Sequence, residues 1–447
     1  MIQEHSPLLT DLYQLTMMQA YYDKGMQEEA VFEFFFRDFP DNRRFLIACG
    51  LQQALQYLES IQFSDEDIDY LRRDGRFHDT FLNQLREFSF TGDIHAMAEG
   101  TIFFSHEPIL RVTAPLPQAQ LVETRLINIL QFQTMIASKA ARMTRLLPDT
   151  LLIDYGLRRS HGAEAGVMAA RGAYCGGFAG TATVLAGKMF NIPTYGTMAH
   201  SFIQAHDSEE EAFYDFATSH PENCVLLLDT YNTERAVERV VTLSRKLKQQ
   251  DITIKGVRLD SGDMVQLSKK VRTVLDENGL QEILIFASGD MDEYSLQKFV
   301  DNNAPVDGFG IGSKLTTSAD HPYFDCAYKL VEFKGRGRRK LAESKSTWPG
   351  RKQVFRSFSK FSKFAGDILG LTDEQHGSTS LIHHYMKNGK TITPLPPLEE
   401  ARAFAMEQMR QLPADIDRSA YRYPVTPSEK LEEYARQVTK ELEERNR

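Results

Sequence analysis

Charged, hydroxyl and glycine residues follow several short apolar runs in the middle of this 447-residue chain. Short apolar runs are typical of buried strands, so the polar residues come where strands end and turns begin. The segments are Asp154-Tyr155-Gly156-Leu157-Arg158-Arg159, Asp229-Thr230, Arg258-Leu259-Asp260-Ser261-Gly262-Asp263, Ala287-Ser288-Gly289-Asp290 and Asp307-Gly308-Phe309-Gly310-Ile311-Gly312-Ser313. One such segment is explained by ordinary turn formation. Aspartate recurs at several of these strand ends, and two of the segments include the tripeptide Ser-Gly-Asp. This recurrence favours one site assembled from several strands.

The chemistry that these side chains support is binding of a phosphorylated sugar. Carboxylates bind magnesium ions and ribose hydroxyls, and glycine turns expose backbone N–H groups to phosphate oxygens. The glycines at 308–312 lack the spacing of a dinucleotide-binding loop and come late in the region. They fit a nest for a 5′-phosphate better, with Ser313 adding a hydroxyl group.

A histidine after a further apolar run is the candidate for proton or phosphoryl transfer. His200 ends the segment Gly196-Thr197-Met198-Ala199-His200, which has the form of a strand end. An imidazole there can act as a base or as a nucleophile that accepts a phosphoryl group, and the residues alone leave both roles open. His206 and the pair His383-His384 lack such a context, so we interpret them as structural.

The elements that must position these residues alternate between strand and helix from about 150 to 333. Apolar runs recur at 151–153, 224–228, 252–257, 283–286, 306–311 and 328–333. Amphipathic helices are predicted between several of them, with apolar faces in 236–247 and 264–275. This order predicts an α/β fold with parallel strands joined by crossovers. An irregular β/α barrel fits the length, and a doubly wound open sheet is the alternative that periodicity does not exclude.

The flanking regions have a different texture. Residues 1–130 mix signals and predict an α+β domain, with a helix after Thr10, a strand at 31–36 and a long helix from Glu123. We assign the barrel to 131–345 and a C-terminal extension, which packs on both domains and helps complete the first, to 346–447. Thr426-Pro427-Ser428-Glu429 has the form of a capping box and predicts a final helix from about 427.

Composition narrows the class of protein. The chain is 42% hydrophobic and 25% charged, and its net charge of −9 disfavours a nucleic-acid partner. No apolar run reaches the roughly 18 residues of a membrane span, and the four distant cysteines disfavour a zinc site. We therefore expect a cytoplasmic enzyme. The basic run at 334–340 is either a solvated loop or a local phosphate site.

Several motifs in order resemble the nicotinate phosphoribosyltransferase family over about residues 8 to 355. They are Thr10-Asp11-Leu12-Tyr13-Gln14, Tyr155-Gly156-Leu157-Arg158-Arg159, Gly196-Thr197-Met198-Ala199-His200-Ser201-Phe202, Val257-Arg258-Leu259-Asp260-Ser261-Gly262-Asp263, Gly310-Ile311-Gly312 and Pro349-Gly350-Arg351-Lys352-Gln353. The resemblance implies a type II phosphoribosyltransferase fold, with an α+β domain on an irregular barrel and active sites shared in a homodimer. It also implies transfer of phosphoribosyl from phosphoribosyl pyrophosphate to nicotinate, with Mg²⁺ and with ATP as co-substrate.

The resemblance assigns roles to individual residues. It implies that ATP phosphorylates His200 and that Tyr13 of the neighbouring subunit stacks on the pyridine ring. The other residues implied for catalysis are Asp229 and Asp260, with Asp260 and Asp290 also holding ribose hydroxyls or Mg²⁺. The remaining residues implied for substrate binding are Tyr155, Arg158, Thr197, Arg258, Ser288, Gly289, Gly310, Gly312, Ser313 and Thr317.

Two alternative activities stay open. Nicotinamide phosphoribosyltransferases resemble this pattern but have an aspartate where this chain has Ala182, in Gly180-Thr181-Ala182. A carboxylate there would repel nicotinate, so alanine favours the acid as substrate. A magnesium-dependent barrel lyase would need a Schiff-base lysine or a cluster of metal ligands, and Lys314 is the one lysine at such a strand end.

Overall fold

The computed structural model describes residues 5–342, 347–418 and 421–445, which form two compact units. The first unit combines Met1–Ser138 with Tyr323–Arg447, and the second is Lys139–Pro322. The boundary after Ser138 falls inside the long helix that the sequence predicts from Glu123.

Helices and strands of the described residues follow in chain order. The α-helices are α1 Leu12–Asp23, α2 Leu51–Ser60, α3 Asp65–Asp74, α4 Asp79–Arg86, α5 Leu116–Leu121, α6 Glu123–Leu146, α7 Ala163–Cys175, α8 Val184–Phe190, α9 His200–Gln204, α10 Glu209–Ser219, α11 Thr233–Lys248, α12 Met264–Glu277, α13 Glu293–Asp301, α14 Ser313–Thr316, α15 Leu398–Gln411 and α16 Glu429–Arg445. The strands are β1 Glu29–Phe36, β2 Leu46–Ile47, β3 Asp93–Met97, β4 Ile102–Phe103, β5 Pro108–Pro115, β6 Leu151–Asp154, β7 Gly180–Thr181, β8 Val225–Leu227, β9 Gly256–Leu259, β10 Leu284–Ser288, β11 Gly308–Ile311, β12 Cys326–Phe333, β13 Arg336–Gly337, β14 Lys352–Phe358, β15 Phe364–Leu371, β16 Thr379–Ser380, β17 Ile382–Lys387, β18 Lys390–Thr391 and β19 Val425–Pro427.

The first unit is built on a seven-stranded sheet in the order β13-β12-β1-β5-β3-β17-β18. The strand predicted at 31–36 is confirmed as β1, which pairs antiparallel with both β5 and β12. The prediction that the run at 328–333 continues the parallel alternation is wrong, because that run forms β12. Its aromatic residues pack on β1, where Phe32 and Tyr328 stack with ring centroids 4.8 Å apart. Apolar runs of this kind predict a buried strand but not its direction.

The ends of two predicted helices differ from the structure. Thr426 and Pro427 belong to β19, which pairs with β15, so the last helix begins at Glu429 instead of about 427. Its cap is Ser428, whose Oγ accepts a hydrogen bond from Leu431 N at 3.1 Å. Strand pairing therefore outweighed the local capping pattern at Thr426. Similarly, Asp11 rather than Thr10 precedes α1.

The second unit contains six parallel strands in the order β7-β6-β11-β10-β9-β8. A further parallel bridge joins Thr181 of β7 to Thr194. Just beyond that bridge, Gly196 O accepts a hydrogen bond from Asn223 Nδ2 at 3.3 Å, immediately before β8. The segment 194–196 thus connects the two edges of the sheet without forming a regular strand. This confirms the predicted irregular β/α barrel and not the open sheet.

The helices that cover this sheet bury the predicted faces. Ala236, Val237, Val240 and Leu247 of α11 are at most 1% exposed, and Val271 and Leu275 of α12 are equally buried. They pack in one core with β8, β9 and β10. Burying each such valine or leucine side chain stabilises the fold by about 1.5–3 kcal/mol. In the part of the chain that the structure describes, no helix has both the length and the apolar character needed to cross a bilayer.

Two stacked histidines in the first unit make the stability of the protein depend on pH. His95 on β3 and His384 on β17 stack with ring centroids 4.2 Å apart and planes 2° apart. Burial, followed by the nearby charges of Arg111 and His384, lowers the pKa of His95 to about 4. The unfolded chain, with a histidine pKa near 6.5, therefore binds more protons between about pH 6.5 and 4, so stability falls as pH falls through that window.

His95→Phe is expected to keep the ring stack and to weaken this acid-induced loss. The change corresponds to roughly 1–2 kcal/mol once the solvent contact of the ring is allowed for. Thermal unfolding at pH 7 and pH 5 measures it. His383→Gln, at an exposed position on the same strand, is the control and should lose as much stability as the wild type. An equal loss in His95→Phe would refute the assignment.

Candidate active site

The candidate site lies at the carboxyl ends of the parallel strands of the second unit. In parallel sheets these ends share one edge, where the following loops meet. Asp154 and Ser288 end β6 and β10, Asp260 directly follows β9, and Asp229 is the second residue after β8. Asp307 does not join them, because it precedes β11 and its Oδ2 accepts a hydrogen bond from Ile285 N at the opposite edge, at 2.7 Å.

His200 is the first residue of α9 and lies beside the turn after β9. Its Nδ1 is 3.1 Å from Thr230 Oγ1, and its Nε2 is 3.9 Å from Asp260 Oδ2. The side chain is 39% exposed, so part of the imidazole is accessible to a ligand. Thr230 holds the ring from the side of Nδ1, which leaves Nε2 as the nitrogen that faces the carboxylate. Sequence reasoning missed this role of Thr230, for which the only signal was a hydroxyl directly after the predicted strand.

Arg258 places a cation on β9 near the same segment. Its Nη1 donates a hydrogen bond to Thr197 Oγ1 at 2.7 Å. Its Nε is buried and makes no hydrogen bond to any other residue that the structure describes. The guanidinium is therefore oriented by one arm, while other donors remain for a planar anion.

Two carboxylates differ in what they contact. Asp229 Oδ2 accepts hydrogen bonds from Asp260 N at 3.1 Å and from Ser261 Oγ at 2.5 Å, so it shapes the turn after β9. Its Oδ1 is buried without a hydrogen-bond partner among the described residues. Asp260 accepts a hydrogen bond from Ser288 Oγ through Oδ1 and presents Oδ2 to His200. Of these two carboxylates, Asp260 is thus the one that faces the His200 imidazole.

The turn after β10 requires its glycine. Gly289 has φ of 95°, and a Cβ there would lie 2.3 Å from the backbone oxygen of Asp260. The neighbouring Asp290 also has positive φ, at 50°, and its side chain is 78% exposed. Its Oδ2 lies 3.1 Å from Lys314 Nζ, which also contacts Asp292 Oδ2 at 3.0 Å.

Lys314 does not suit Schiff-base chemistry. Burial acts to lower its pKa, but hydrogen bonds and the charges of Asp290 and Asp292 outweigh this effect and raise the pKa above its ordinary value. A Schiff-base lysine must be an unprotonated amine near neutral pH. The barrel-lyase alternative therefore gains no support from this residue.

Two glycines, Gly310 in β11 and Gly312 just after it, make room for Tyr155. A Cβ on Gly310 would lie 2.6 Å from the Tyr155 ring, and one on Gly312 would lie 3.0 Å from Tyr155 O. Because Gly308–Ile311 is the regular strand β11, the predicted phosphate nest is limited to the turn that begins at Gly312. Ser313 opens the short α14 there, and its backbone oxygen accepts a hydrogen bond from Thr317 Oγ1 at 2.7 Å.

The remaining predicted residues are more exposed. Arg158 lies in the 3₁₀ turn Leu157–Arg159 and makes no ion pair with another residue within the described ranges. Tyr13 lies on α1 of the first unit and is 47% exposed.

The residues present fit a magnesium ion that is held jointly with substrate phosphates. No group of three or more histidine, cysteine, aspartate or glutamate side chains among the described residues is placed to form a metal cage. Asp260 and Asp290 offer carboxylate oxygens at one rim, and Mg²⁺ in phosphate-binding enzymes commonly uses one or two carboxylates with phosphate oxygens and water. Asp290 would first have to exchange its contact with Lys314.

Comparisons with known proteins agree with one family. Three family profiles match: the nicotinate phosphoribosyltransferase N-terminal domain at 8–131, the nicotinate phosphoribosyltransferase family at 150–344, and the nicotinate phosphoribosyltransferase C-terminal domain at 377–435. Nicotinate phosphoribosyltransferase pncB2 of Mycobacterium tuberculosis is 42% identical over 96% of this chain and 93% of that protein. The Bacillus subtilis nicotinate phosphoribosyltransferase is 41% identical over 82% of this chain and 76% of its own length.

Solved structures show the same fold. Human nicotinic acid phosphoribosyltransferase superposes with a TM-score of 0.86 at 27% identity, covering 96% of this chain and 99% of that one. The type II phosphoribosyltransferase architecture predicted from the sequence is thus confirmed. The three profile matches, the two bacterial relatives and the shared architecture together place this chain in the nicotinate phosphoribosyltransferase family.

Proposed function

We propose that this protein transfers phosphoribosyl from phosphoribosyl pyrophosphate to nicotinate, giving nicotinate mononucleotide and pyrophosphate for NAD biosynthesis. The names of its relatives support this reaction. The observation that carries it in the structure is the position of the His200 imidazole, with Asp260 on one side and Thr230 on the other. Arg258 lies on the strand that ends at this carboxylate.

The transfer forms a bond from the pyridine nitrogen to the anomeric carbon and breaks the bond from that carbon to the pyrophosphate oxygen. Positive charge develops on the sugar ring, and the carboxylate of Asp260 stabilises it. Bound Mg²⁺ would neutralise charge on the pyrophosphate leaving group. Ser288 holds Asp260 in place through its hydroxyl, so the carboxylate does not need to reorganise during the reaction.

Nicotinate is a planar anion and needs a matching site. The forked guanidinium of Arg258 pairs with a carboxylate, and Thr197 fixes its orientation. Tyr155 and Arg158 add a ring and a second cation from the loop after β6. In a homodimer, Tyr13 of the neighbouring subunit would supply the stacking partner for the pyridine ring.

ATP acts in this reaction by phosphorylating His200. With its proton on Nδ1, where Thr230 Oγ1 accepts it, the imidazole has a lone pair on Nε2. Nε2 forms a bond to the terminal phosphorus of ATP while the bond from that phosphorus to the bridging oxygen breaks and ADP leaves. The phosphorylated ring adds negative charge beside the pyrophosphate site, so its formation and hydrolysis can alter pyrophosphate binding. Hydrolysis by water returns the free imidazole and inorganic phosphate.

A direct test compares two substrates. The purified protein is incubated with phosphoribosyl pyrophosphate, Mg²⁺, ATP and either nicotinate or nicotinamide, and the mononucleotides are separated by chromatography. We expect nicotinate mononucleotide, with kcat/KM at least tenfold above that for nicotinamide. Comparable kcat/KM for the two substrates, or no nicotinate mononucleotide, would contradict the proposal.

Ala182→Asp tests the same preference for nicotinate over nicotinamide by changing the protein instead of the substrate. Ala182 is exposed and directly follows β7, and its N donates a hydrogen bond to Asp154 O at 2.8 Å. A carboxylate there is expected to lower kcat/KM for nicotinate about 10- to 100-fold through like-charge repulsion, and to lower that for nicotinamide much less. Steady-state kinetics with both substrates measure the ratio. Ala182→Asn, which has the same shape without the charge, is the control.

A further inference from the structure

We propose that Asp154 is the positioning residue that holds the two loops facing the pyridine acid in a fixed relation to each other. Asp154 ends β6, is 1% exposed and belongs to the first of the polar strand-end segments, but sequence reasoning assigned it no individual role. In the sheet β6 lies between β11 and β7, so Asp154 at its carboxyl end lies next to both the loop after β6 and the loop after β7. The assignment rests on the proposed function, since it concerns the binding of nicotinate.

Each oxygen of this carboxylate holds a different loop. Oδ1 accepts a hydrogen bond from Gly156 N at 2.8 Å, within the loop that carries Tyr155 and Arg158. Oδ2 accepts one from Thr181 Oγ1 at 2.7 Å, next to Ala182. The backbone oxygen of Asp154 accepts a third, from Ala182 N. A single residue therefore links both loops to the end of one central strand.

The second loop is fixed further by the same hydroxyl group. Thr181 Oγ1 accepts a hydrogen bond from Thr183 N at 2.9 Å while it donates to Asp154. Both residues are at most 1% exposed, so no solvent replaces these contacts. The backbone on either side of Ala182 is thus held through Asp154.

The loop after β6 is closely packed against its neighbours. A Cβ on Gly156 would lie 2.7 Å from Thr316 Cβ and 2.9 Å from Asp154 Oδ1. The Tyr155 ring lies over Gly310 in the neighbouring strand. The bond to Gly156 N therefore sets where Tyr155 and Arg158 stand relative to β11. A displacement of about 1 Å in such a loop can reduce turnover by as much as 10²-fold.

Burying a carboxylate costs desolvation free energy, so a purely structural role does not explain Asp154. Burial raises the pKa of Asp154 to about 6, although Thr181 and Gly156 act in the opposite direction. Its charge at neutral pH therefore opposes folding, and its use is explained by its ability to accept from two donors at once.

The test separates positioning from general stability. Asp154→Ala and Thr181→Val are compared with the wild type for KM of nicotinate, KM of phosphoribosyl pyrophosphate, kcat and thermal unfolding. We expect Asp154→Ala to raise KM for nicotinate tenfold or more, and Thr181→Val to raise it about threefold to tenfold, because it frees only one loop. KM for phosphoribosyl pyrophosphate should rise clearly less, since Ser288 on β10 and Asp260 just after β9 lie outside these two loops.

Conservative replacement and a matched control complete the design. In Asp154→Asn the amide oxygen can accept from Gly156 N while the amide nitrogen donates to Thr181 Oγ1, so KM for nicotinate should return to within about threefold of the wild type. Asp307→Asn changes a carboxylate at the opposite edge of the same sheet and should leave both KM values unchanged.

The outcomes distinguish two failures. If the wild type does not use nicotinate, the proposed function is wrong. If the wild type does, but Asp154→Ala and Thr181→Val keep KM for nicotinate within twofold, or raise both KM values equally, the inference is wrong. Should Asp154→Ala fail to fold, Thr181→Val decides, because valine matches the shape of threonine and removes only the hydroxyl.

Discussion

His200→Ala is expected to abolish acid-labile labelling of the protein by ATP labelled on its terminal phosphate, and to remove at least nine-tenths of ATP-stimulated turnover. The variant lacks the nucleophile, and label transferred instead to its neighbours Thr230 or Asp260 would form a phosphothreonine or an acyl phosphate, which differ from phosphohistidine in their stability to acid and base. Incorporated label and the rate of nicotinate mononucleotide formation, each with and without ATP, measure the two effects. The rate without ATP should change much less, because His200 is not the group that bonds to the sugar.

Two further variants show whether the loss is specific. His206 lies just after α9, where Nδ1 is 2.7 Å from Phe202 O and Nε2 is 3.5 Å from Asp215 Oδ2. His206→Asn should keep full labelling. Thr230→Val removes the contact to Nδ1 of His200 and should slow labelling about fivefold, the effect of losing roughly 1 kcal/mol from the hydrogen bond that orients the ring. A His200→Ala protein that is still labelled and still stimulated by ATP would exclude the phosphohistidine.

The strands beneath the site were predictable because their pattern is local. Runs such as 151–153 and 283–286 are apolar and bounded by polar turns, and parallel strands bring their carboxyl ends to one edge. The same rule predicts that Asp229 and Asp260 lie near each other, and Asp229 Oδ2 indeed accepts a hydrogen bond from Asp260 N. The pattern gave the wrong strand direction for 328–333, which belong to β12. A buried strand has the same apolar pattern whether its partner is parallel or, like β1, antiparallel.

Other features of the site depend on contacts that sequence does not display. Asp154 and Thr181 are 27 residues apart, and nothing local shows that their side chains meet inside the protein. The segment leading to His200 joins the edges of the barrel through the bridge at Thr194 and the hydrogen bond from Asn223 to Gly196, and it forms no regular strand whose periodicity the sequence could show. For His200 the preceding apolar run indicated a candidate base or nucleophile, and only the resemblance to the family implied phosphorylation.

Asp260→Asn is expected to lower kcat by a factor of about 10²–10³, equivalent to about 2.7–4 kcal/mol of transition-state stabilisation. The amide keeps the size of the carboxylate and can still accept a hydrogen bond from Ser288 Oγ, so the turn should persist. What it removes is the negative charge that faces the reacting centre beside His200. Saturating steady-state kinetics of nicotinate mononucleotide formation measure kcat, and unfolding by heat checks that the variant is folded.

Asp263→Asn provides the matched control for the same loop. Asp263 caps α12, its Oδ1 accepting a hydrogen bond from Gln266 N at 3.2 Å, and its side chain is exposed. Asparagine caps a helix about as well as aspartate, so kcat should stay within twofold of the wild type. If both variants lost activity equally, the loop would be sensitive to any change, whereas a kcat within threefold of wild type in Asp260→Asn would show that the charge is not used. Because the two positions lie three residues apart and undergo the same replacement, a difference between them is attributable to where each carboxylate points.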